Sequence, residues 1–467
     1  MQSLRDGKTA DNNAEAAVEI STCKNGSENK ELYVLKHLFY YKCVFHFFRY
    51  VLGYPVKWIY RFKCKKYKIR SSHFLMLANH TMNIDPIFEA VALKRHMKFV
   101  ANEAVLQYGW EGKAVKFLQN PIPKRKGANA SDTVELIKEY LRNGVSVAMH
   151  AEGNRSYTGE TGFISPRTGE LVKNAASGGL ITFRTRGGYM RSPRWAKHSR
   201  RGPLFGAVVN EYTREEIDKM TVYEINEVIC RDLYTDAYDE QRRHMDKYKG
   251  RALAESLETA LYICPCCRGI STMHSSEDLF TCSKCSYEVK INEYGFFELR
   301  TPGKDSDSCA QKSDFLDTVK DWDKWQREYI AQNLDIWKNH IPEIEKPIVS
   351  DGGMVLTEVF HNETSKIISS NCRIELYGDR LRAVFDTACS DGAVNARDEI
   401  KYCSTADSGS VGFMDFMLSD ISRLAINARS GIVFTCRDNF FKLKSDKVYS
   451  NLKYFAFYRY LTGRKYV

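Results

Sequence analysis

Hydrophobic and polar positions follow two different periods along the chain. From residue 71 to about 230, short apolar runs such as FLMLAN (74–79) and VSVAMH (145–150) alternate with segments of helical spacing such as SDTVELIKEYLRNG (131–144). Apolar runs of this length that end in polar turns predict buried strands. Strand and helix in alternation predict an α/β domain built on a largely parallel sheet.

Beyond about residue 350 the pattern becomes that of β structure. MVLTEVF (354–360), RIELYGDRLRAVF (373–385) and FFKLK (440–444) predict short strands, and the turns between strands contain Gly or Asn. YSNLKYFAFYRYL (449–461) predicts a closing helix. Several short strands followed by one helix resemble a pleckstrin-homology (PH) or GRAM-type module, and this resemblance implies binding of anionic lipid.

The segment 31–70 has a strong charge bias. Between Lys36 and Arg70 there are ten Lys or Arg, twelve aromatic residues and no acid. The following residues fall on one side of a helix: Val34, Leu38, Tyr41, Phe45, Phe48 and Leu52. Gly53-Tyr-Pro55 is expected to end this helix before a second one. Such helices suit the plane of an anionic membrane; the alternative is an aromatic helix packed on the core with solvated cations.

Composition narrows the class of protein. The chain has 467 residues and a formal net charge of +11, which favours an anionic partner. The sequence contains no uninterrupted apolar run of about 18 residues, so no transmembrane helix is expected, and its polar start predicts no signal peptide. We therefore predict a peripheral protein at the cytoplasmic face of a membrane. In that compartment, the 14 cysteines indicate free thiols and metal ligands rather than disulfides.

Four cysteines have the spacing of a metal site. Cys264-x-x-Cys267 and Cys282-x-x-Cys285 are separated by fourteen residues. Two such pairs predict a zinc ribbon, and because four thiolates close the coordination shell, the Zn²⁺ would be structural. Cys266 is interpreted either as a spare thiol that could replace a neighbouring ligand or as a bystander. The ribbon has no basic stripe, so nucleic acid is not an expected partner.

The predicted fold class is thus an α/β domain preceded by membrane-interfacial helices and followed by a Cys₄ zinc ribbon, a helical linker and a β-rich PH/GRAM-like domain. The predicted divisions are a disordered tail (1–30), interfacial helices (31–70), the α/β domain (71–260), the ribbon (261–300), the linker (301–349) and the β-rich domain (350–467).

The first candidate for chemistry is LMLANHTMNIDP, residues 75–86. His80 follows a predicted strand, where α/β folds usually carry their functional side chains. An imidazole there is suited to general-base catalysis, and the carboxylate of Asp85 would orient it. The alternative is structural, because Asp85-Pro86 is also a good helix start, with Asp85 as N-cap.

A second strand ends in the turn HAEGNRS, residues 150–156. A glycine turn with an arginine forms an anion site that suits phosphate. A second phosphate clamp is predicted at Lys124, Arg125 and Lys126, where the alternative is a solvated basic loop. His150 is interpreted as a local packing or loop residue.

Together these elements resemble the PlsC-like 1-acylglycerol-3-phosphate acyltransferase superfamily over about residues 71–215. The first family motif, N-H-x-x-x-x-D, is intact from Asn79 to Asp85. The third, usually F-P-E-G-T-R-S, stands here as H-A-E-G-N-R-S, with Asn154 for Thr and Ala151 for Pro. The arginine of the second motif is matched by Arg125, and GGLITFRTRGGY (178–189) loosely matches the fourth.

The resemblance implies a mechanism and partners. His80 and Asp85 would form the general-base pair that activates a lysophospholipid hydroxyl for attack on an acyl thioester, from acyl-CoA or acyl carrier protein. The expected substrate-binding residues are Lys124, Arg125, Glu152, Gly153, Arg155 and Ser156. Glu152 would orient the substrate or brace the loop. Two alternatives remain: acyl transfer to another lysolipid, and a non-catalytic lipid-bound scaffold that acts through the zinc ribbon and the β module.

Overall fold

The computed structural model describes residues 37–102, 109–124, 131–301, 315–341, 346–360, 364–385, 401–404, 410–427, 431–445, 447 and 449–464. The predicted tail (1–30) and Arg125 lie outside the described residues.

The first half of the chain is built on a seven-stranded sheet in the order β1-β7-β6-β2-β5-β3-β4. Its strands are β1 Phe62–Cys64, β2 Leu75–Ala78, β3 Lys98–Asn102, β4 Ile122–Lys124, β5 Val147–His150, β6 Leu180–Arg186 and β7 Leu204–Tyr212. Neighbouring strands are parallel except β6 and β7, which are antiparallel. The central strand β2 is buried along its whole length, as the apolar run predicts.

Helices connect and cover these strands. They are α1 Leu38–Ile59, α2 Asp85–Leu93, α3 Gly109–Gln119, α4 Ser131–Arg142, α5 Arg167–Ala175, α6 Gly188–Arg191, α7 Arg214–Lys219, α8 Val222–Leu233 and α9 Ala237–His244. The α/β expectation is therefore met. The sheet of this domain begins before residue 71, because β1 lies inside the segment predicted as interfacial helices (31–70) and pairs with β7.

The predicted helix break at Gly53-Tyr-Pro55 is wrong, because α1 continues through Pro55 to Ile59. Proline in a helix interior removes a backbone hydrogen bond and usually kinks or breaks the helix, but here the last turn continues past it. The predicted apolar side of this helix packs on the protein in part: Phe45 is 3% exposed and meets His96 edge-on, whereas Leu52 is 40% exposed and Val34 lies outside the described residues. Among the described helices, none has the length and apolar character needed to cross a bilayer.

A different side of α1 faces outward and carries large aromatic residues. The exposed residues are Phe39 (82%), Phe47 (62%), Tyr50 (74%), Tyr54 (80%) and Trp58 (83%). Tyr40 of α1 meets Phe117 of α3 edge-on at 6.0 Å between ring centroids, and Trp110 and Phe117 of α3 are exposed as well. The two helices together therefore present an aromatic surface, which we call the aromatic stripe.

The second half contains two antiparallel sheets. The cysteine ribbon has β8 Met273–Ser276, β9 Leu279–Cys282, β10 Glu288–Ile291 and β11 Phe297–Thr301. The larger sheet has β12 Val349–Val359, β13 Ser365–Leu376, β14 Arg380–Phe385, β15 Lys401–Ser404, β16 Ser410–Met417, β17 Ile421–Asn427, β18 Gly431–Cys436 and β19 Asn439–Lys444, in the order β15-β16-β14-β13-β12-β19-β18-β17. Helix α12 (Asn451–Thr462) packs on it. The PH/GRAM assignment stays a prediction.

The predicted linker is tightly packed between these units. It contains α10 (Val319–Gln332) and α11 (Leu334–Lys338). Trp322 is fully buried against the ribbon core and donates to Ile263 O at 2.9 Å. On the C-terminal unit, Ser450 Oγ donates to Thr259 O at 2.9 Å. These buried contacts join the linker to the ribbon, and the C-terminal unit to the segment just before the ribbon.

Candidate active site

Two neighbouring strands bring the candidate residues together. β2 and β5 are parallel, and Ala78 pairs with His150 in their register. Because parallel strands end at the same edge of a sheet, the turn after β2 and the turn after β5 meet there. His80 and the H-A-E-G-N-R-S turn thus lie side by side, although 70 residues of chain separate His80 from His150.

His80 and Asp85 are in direct contact. Nδ1 of His80 lies 3.0 Å from Oδ2 of Asp85. The same oxygen accepts the backbone N–H groups of Thr81 at 2.6 Å and Met82 at 2.8 Å. Asp85 is the first residue of α2 rather than its N-cap, which is Ile84. Its carboxylate therefore turns back to the histidine loop, and the helix start and the pairing with His80 are compatible.

The environment shifts both pKa values downward. Burial alone raises the pKa of Asp85, but its hydrogen bond to His80 and the charge interaction outweigh burial and lower it. The pKa of His80 falls to about 4, first because the ring is buried and second because His150 places positive charge beside it; Asp85 opposes this shift. His80 is therefore neutral at pH 7, as a general base must be.

Asn79 braces the strand end before His80. Its Nδ2 donates to Thr185 O at 2.9 Å, and its Oδ1 accepts the Thr185 N–H at 2.8 Å. This reciprocal pair locks the end of β2 to β6. Asn79 is 2% exposed, so its role in this structure is to hold the backbone that carries His80.

Glu152 holds the two turns together. Its Oε1 accepts the backbone N–H of His80 at 2.7 Å, and its Oε2 accepts the N–H of Gly162 at 2.6 Å. Burial raises the pKa of Glu152 to about 7 although both N–H groups oppose the shift. Of the two roles expected for this residue, the contacts correspond to bracing the loop.

The other residues of the H-A-E-G-N-R-S turn have a defined backbone conformation and defined hydrogen bonds. Gly153 has φ +68°, a left-handed backbone conformation that favours glycine. Nη1 of Arg155 donates to Ser192 O at 3.3 Å. Oγ of Ser156 accepts the N–H groups of Thr158 at 3.1 Å and Gly159 at 2.9 Å. Ser156 lies on the wall of a cleft beside His80, which also includes Thr185 and Tyr189.

Of the second predicted phosphate clamp, only Lys124 lies among the described residues. Lys124 ends β4, which is parallel to β3, so it lies at the same edge of the sheet as His80. Burial lowers the pKa of Lys124. Lys124 is not among the residues that line the cleft next to His80. Arg125 and Lys126 lie outside the described residues.

His150 is more than a packing residue, contrary to the sequence interpretation. Its ring stacks on that of His80, with centroids 4.1 Å apart and planes 17° apart. Its Nε2 lies 3.0 Å from Oε1 of Glu89, which is fully buried on α2. Burial opposes protonation of His150, but the charge of Glu89 and the hydrogen bond outweigh it and raise the pKa of His150 to about 9.

The four ribbon cysteines converge. Their Sγ atoms all lie within 4.8 Å of one another. Sγ of Cys264 is 3.7 Å from that of Cys285, and Sγ of Cys267 is 3.7 Å from that of Cys282. These distances are too long for disulfides. They match a zinc tetrahedron, because Zn–S bonds of about 2.3 Å give sulfur–sulfur edges of about 3.8 Å. Cys266 is not part of the cluster.

Of the comparisons with known proteins, the family match agrees with the sequence motifs. Among solved structures, the chain is similar to the 1-acyl-sn-glycerophosphate (LPA) acyltransferase PlsC from Thermotoga maritima, with 16% identity over 40% of this chain and 79% of that chain and a TM-score of 0.31. No curated protein matches significantly. Residues 61–182 match the family model described as Acyltransferase. This segment, which contains His80, Asp85 and the H-A-E-G-N-R-S turn, is therefore an acyltransferase-family domain, as the motifs predict.

Proposed function

We propose that the protein is a glycerolipid acyltransferase that transfers an acyl chain from a thioester to the free hydroxyl of 1-acylglycerol-3-phosphate and so forms phosphatidic acid. The observation that carries the proposal is the His80–Asp85 pair, with Nδ1 of His80 held 3.0 Å from a buried carboxylate. Because Asp85 engages Nδ1 and the His80 ring lines the cleft, Nε2 is the nitrogen that would take the proton of the acceptor hydroxyl.

The reaction then follows from the roles of the groups. Nε2 of His80 takes the proton of the acceptor hydroxyl while its oxygen bonds to the thioester carbonyl carbon. Asp85 accepts a hydrogen bond from Nδ1 and stabilises the imidazolium that forms. The carbon–sulfur bond breaks as the tetrahedral intermediate collapses, and His80 returns the proton to the thiolate. The donor is acyl-CoA or acyl carrier protein.

The phosphate of the acceptor would bind at the cationic edge of the sheet. Arg155 supplies a guanidinium beside the glycine turn, with Gly153 and Ser156 next to it. Lys124 ends a strand at the same edge, and Arg125 follows it in the sequence. Glu152 would keep the turn in place without touching the phosphate, because both carboxylate oxygens bind backbone N–H groups.

Membrane contact belongs to this proposal. The aromatic stripe exposes five rings of α1, and exposed cations such as Lys42, Arg61 and Lys63 lie on or next to that helix. Rings at the acyl boundary with cations at the headgroups would hold the protein at the cytoplasmic face of an anionic membrane, where a lysolipid acceptor resides.

Zinc would complete the ribbon. Cys264, Cys267, Cys282 and Cys285 would hold one structural Zn²⁺, since four thiolates leave no open position. The buried contacts of α10 with the ribbon would transmit this support to both neighbouring units.

The decisive test is acyl transfer by the purified chain, followed as thiol release from acyl-CoA with 1-acylglycerol-3-phosphate as acceptor. We expect turnover in the native protein and its loss in His80→Ala, with folding checked by circular dichroism. Full activity in a folded His80→Ala variant would refute the mechanism. A panel of other lysolipids tests the second candidate, which Ala151 and Asn154 favour because they depart from the family motif. Absence of turnover with every acceptor would favour the scaffold.

A further inference from the structure

The catalytic histidine does not lie alone at the strand edge. His150 covers one face of its ring at 4.1 Å, and the partner of His150 is Glu89, whose side chain is fully buried. Asp85 and Glu89 are successive acids on the buried face of α2, four residues apart. One helix thus supplies a carboxylate to each of two stacked imidazoles.

Packing alone does not require the second pair, His150 and Glu89. The third motif of the resembled family has phenylalanine at the position of His150, and a phenyl ring would give the same stacked contact without charge. Replacing a buried ion pair by apolar groups of similar volume is often neutral or stabilising. Oε2 of Glu89 is buried and has no hydrogen-bond partner among the described residues, a further cost of keeping an acid there.

The charges around His150 favour its protonated form. Glu89 contacts it directly, and the carboxylates of Asp85 and Glu152 attract it at longer range. The groups that act on His80 are Asp85, which favours its protonation, and His150 and Arg155, which oppose it. Because the His150 ring stacks on the His80 ring, its positive charge lies against the face of the His80 imidazole.

We propose that His150 and Glu89 are a positioning pair that acts through His80: they hold a buried positive charge against the face of the catalytic imidazole and so keep it unprotonated until the acceptor hydroxyl arrives. This inference rests on the proposed function. After His80 takes the proton from the hydroxyl, two imidazolium rings face each other. Their repulsion promotes the return of that proton to the leaving thiolate.

The test compares the native protein with the double variant Glu89→Gln/His150→Phe, which keeps a ring over His80 and removes both charges. Removing the positive charge should raise the pKa of His80. In the pH profile of kcat/KM for acyl transfer, the midpoint of the acid limb should therefore move to a higher pH, by about one unit or more. Titration of the His80 ring by ¹⁵N NMR should show the same shift. A purely structural pair would lower kcat/KM equally at every pH, and an unshifted limb would overturn the proposal.

Two further experiments cover the cases in which the double variant does not fold or the native protein shows no turnover. Glu89→Gln alone retains an oxygen acceptor for Nε2 of His150 and removes the carboxylate; its profile should shift in the same direction, and it answers the question if the double variant does not fold. The NMR titration requires no substrate. If the native protein transferred no acyl chain, the proposed function would fail, whereas an upward shift of the His80 titration would still support the charge coupling and its absence would refute it.

Discussion

Asp85 and Glu89 lie one turn apart on the same buried face of α2, and each contacts a different histidine. Oδ2 of Asp85 is 3.0 Å from Nδ1 of His80, and Oε1 of Glu89 is 3.0 Å from Nε2 of His150. Both acids are completely buried in a helix of nine residues. Buried carboxylates are costly unless they are paired, so α2 is built to serve this site as well as the core.

Replacing Asp85 by Asn tests the tautomer of His80. An amide oxygen in the place of Oδ2 could still accept from Nδ1 and from the two backbone N–H groups, but it carries no negative charge. It would therefore hold the Nδ1–H tautomer of His80 less firmly and would not stabilise the imidazolium that forms during the reaction. By analogy with other orienting aspartates, we expect kcat to fall by about 10²- to 10⁴-fold. The measurement is steady-state thiol release. Asp218→Asn, on the surface pair with Arg214, is the control and should keep native kcat.

Replacing Glu152 by Gln tests the brace between the two turns. One of its two N–H partners, on His80 or Gly162, would face an NH₂ group instead of an oxygen. We expect a loss of about 1–3 kcal/mol in the free energy of unfolding, together with a lower kcat. Urea denaturation measures the first effect. Glu135→Gln, half-exposed on α4, should change neither, and equal stability of Glu152→Gln would contradict the bracing role.

The parts of the fold that the sequence reveals are those specified locally. FLMLAN and VSVAMH contain enough buried apolar residues in a row to predict β2 and β5. β1 has only three residues, with exposed Lys63 at its centre, and it forms because β7 offers it an edge about 140 residues away. Likewise, periodicity places Phe45 on an apolar side of α1, but it does not show whether that side meets the protein core or a membrane.

The same distinction applies to the site. His80 and Asp85 are five residues apart, so their pairing is visible in the sequence. Glu89 and His150 are 61 residues apart, and Glu152 is 72 residues from His80. These contacts depend on the register of β2 and β5. Two signals were nevertheless available: an acid one turn after Asp85 on an apolar helix face, and a histidine at the aromatic position of the third motif.

The cysteine cluster predicts one bound zinc per chain. Metal analysis of the purified protein should find about one Zn²⁺, and chelation should lower the thermal midpoint, because structural zinc contributes directly to folding. Cys264→Ser should lose the metal. Cys266→Ser is a matched control from the same turn and should retain it, because Cys266 is outside the cluster of four sulfurs. Zinc at native stoichiometry in Cys264→Ser would contradict the assignment.

The aromatic stripe predicts binding to anionic vesicles. Trp58 and Tyr54 are 83% and 80% exposed on α1. Removing both rings by alanine substitution should reduce flotation with phosphatidylglycerol-containing liposomes, because less apolar surface reaches the acyl boundary. High salt should weaken binding of the native chain, since the cations contribute through screened interactions. Tyr223→Ala, which removes a 71% exposed ring from α8, is the control. If the variant without Tyr54 and Trp58 floated as well as Tyr223→Ala, the aromatic stripe would not be the membrane-binding surface.

The charge state of His150 can also be tested through stability alone. In the unfolded chain its pKa is near 6.5, whereas in the fold it is about 9. Between these values the folded state binds more protons than the unfolded state, so stability falls as pH rises. The contribution of His150 is complete below pH 6.5 and is lost as pH rises through 9. A shift of this size corresponds to about 3 kcal/mol at most.

Other groups titrate in the same range, so the prediction concerns a difference between two proteins. Burial lowers the pKa of Lys98 to about 7, which makes its contribution rise with pH, but Lys98 is unchanged in Glu89→Gln/His150→Phe and cancels to first order. The variant also removes Glu89, whose pKa is raised by burial, and a raised pKa on either group gives stability that is lost as pH rises. We therefore expect this variant to be less stable relative to the native protein at pH 6.5 than at pH 9. Urea unfolding at both pH values measures the difference. A destabilisation independent of pH would mean that His150 carries no extra proton in the fold, and the charge beside His80 would then be absent.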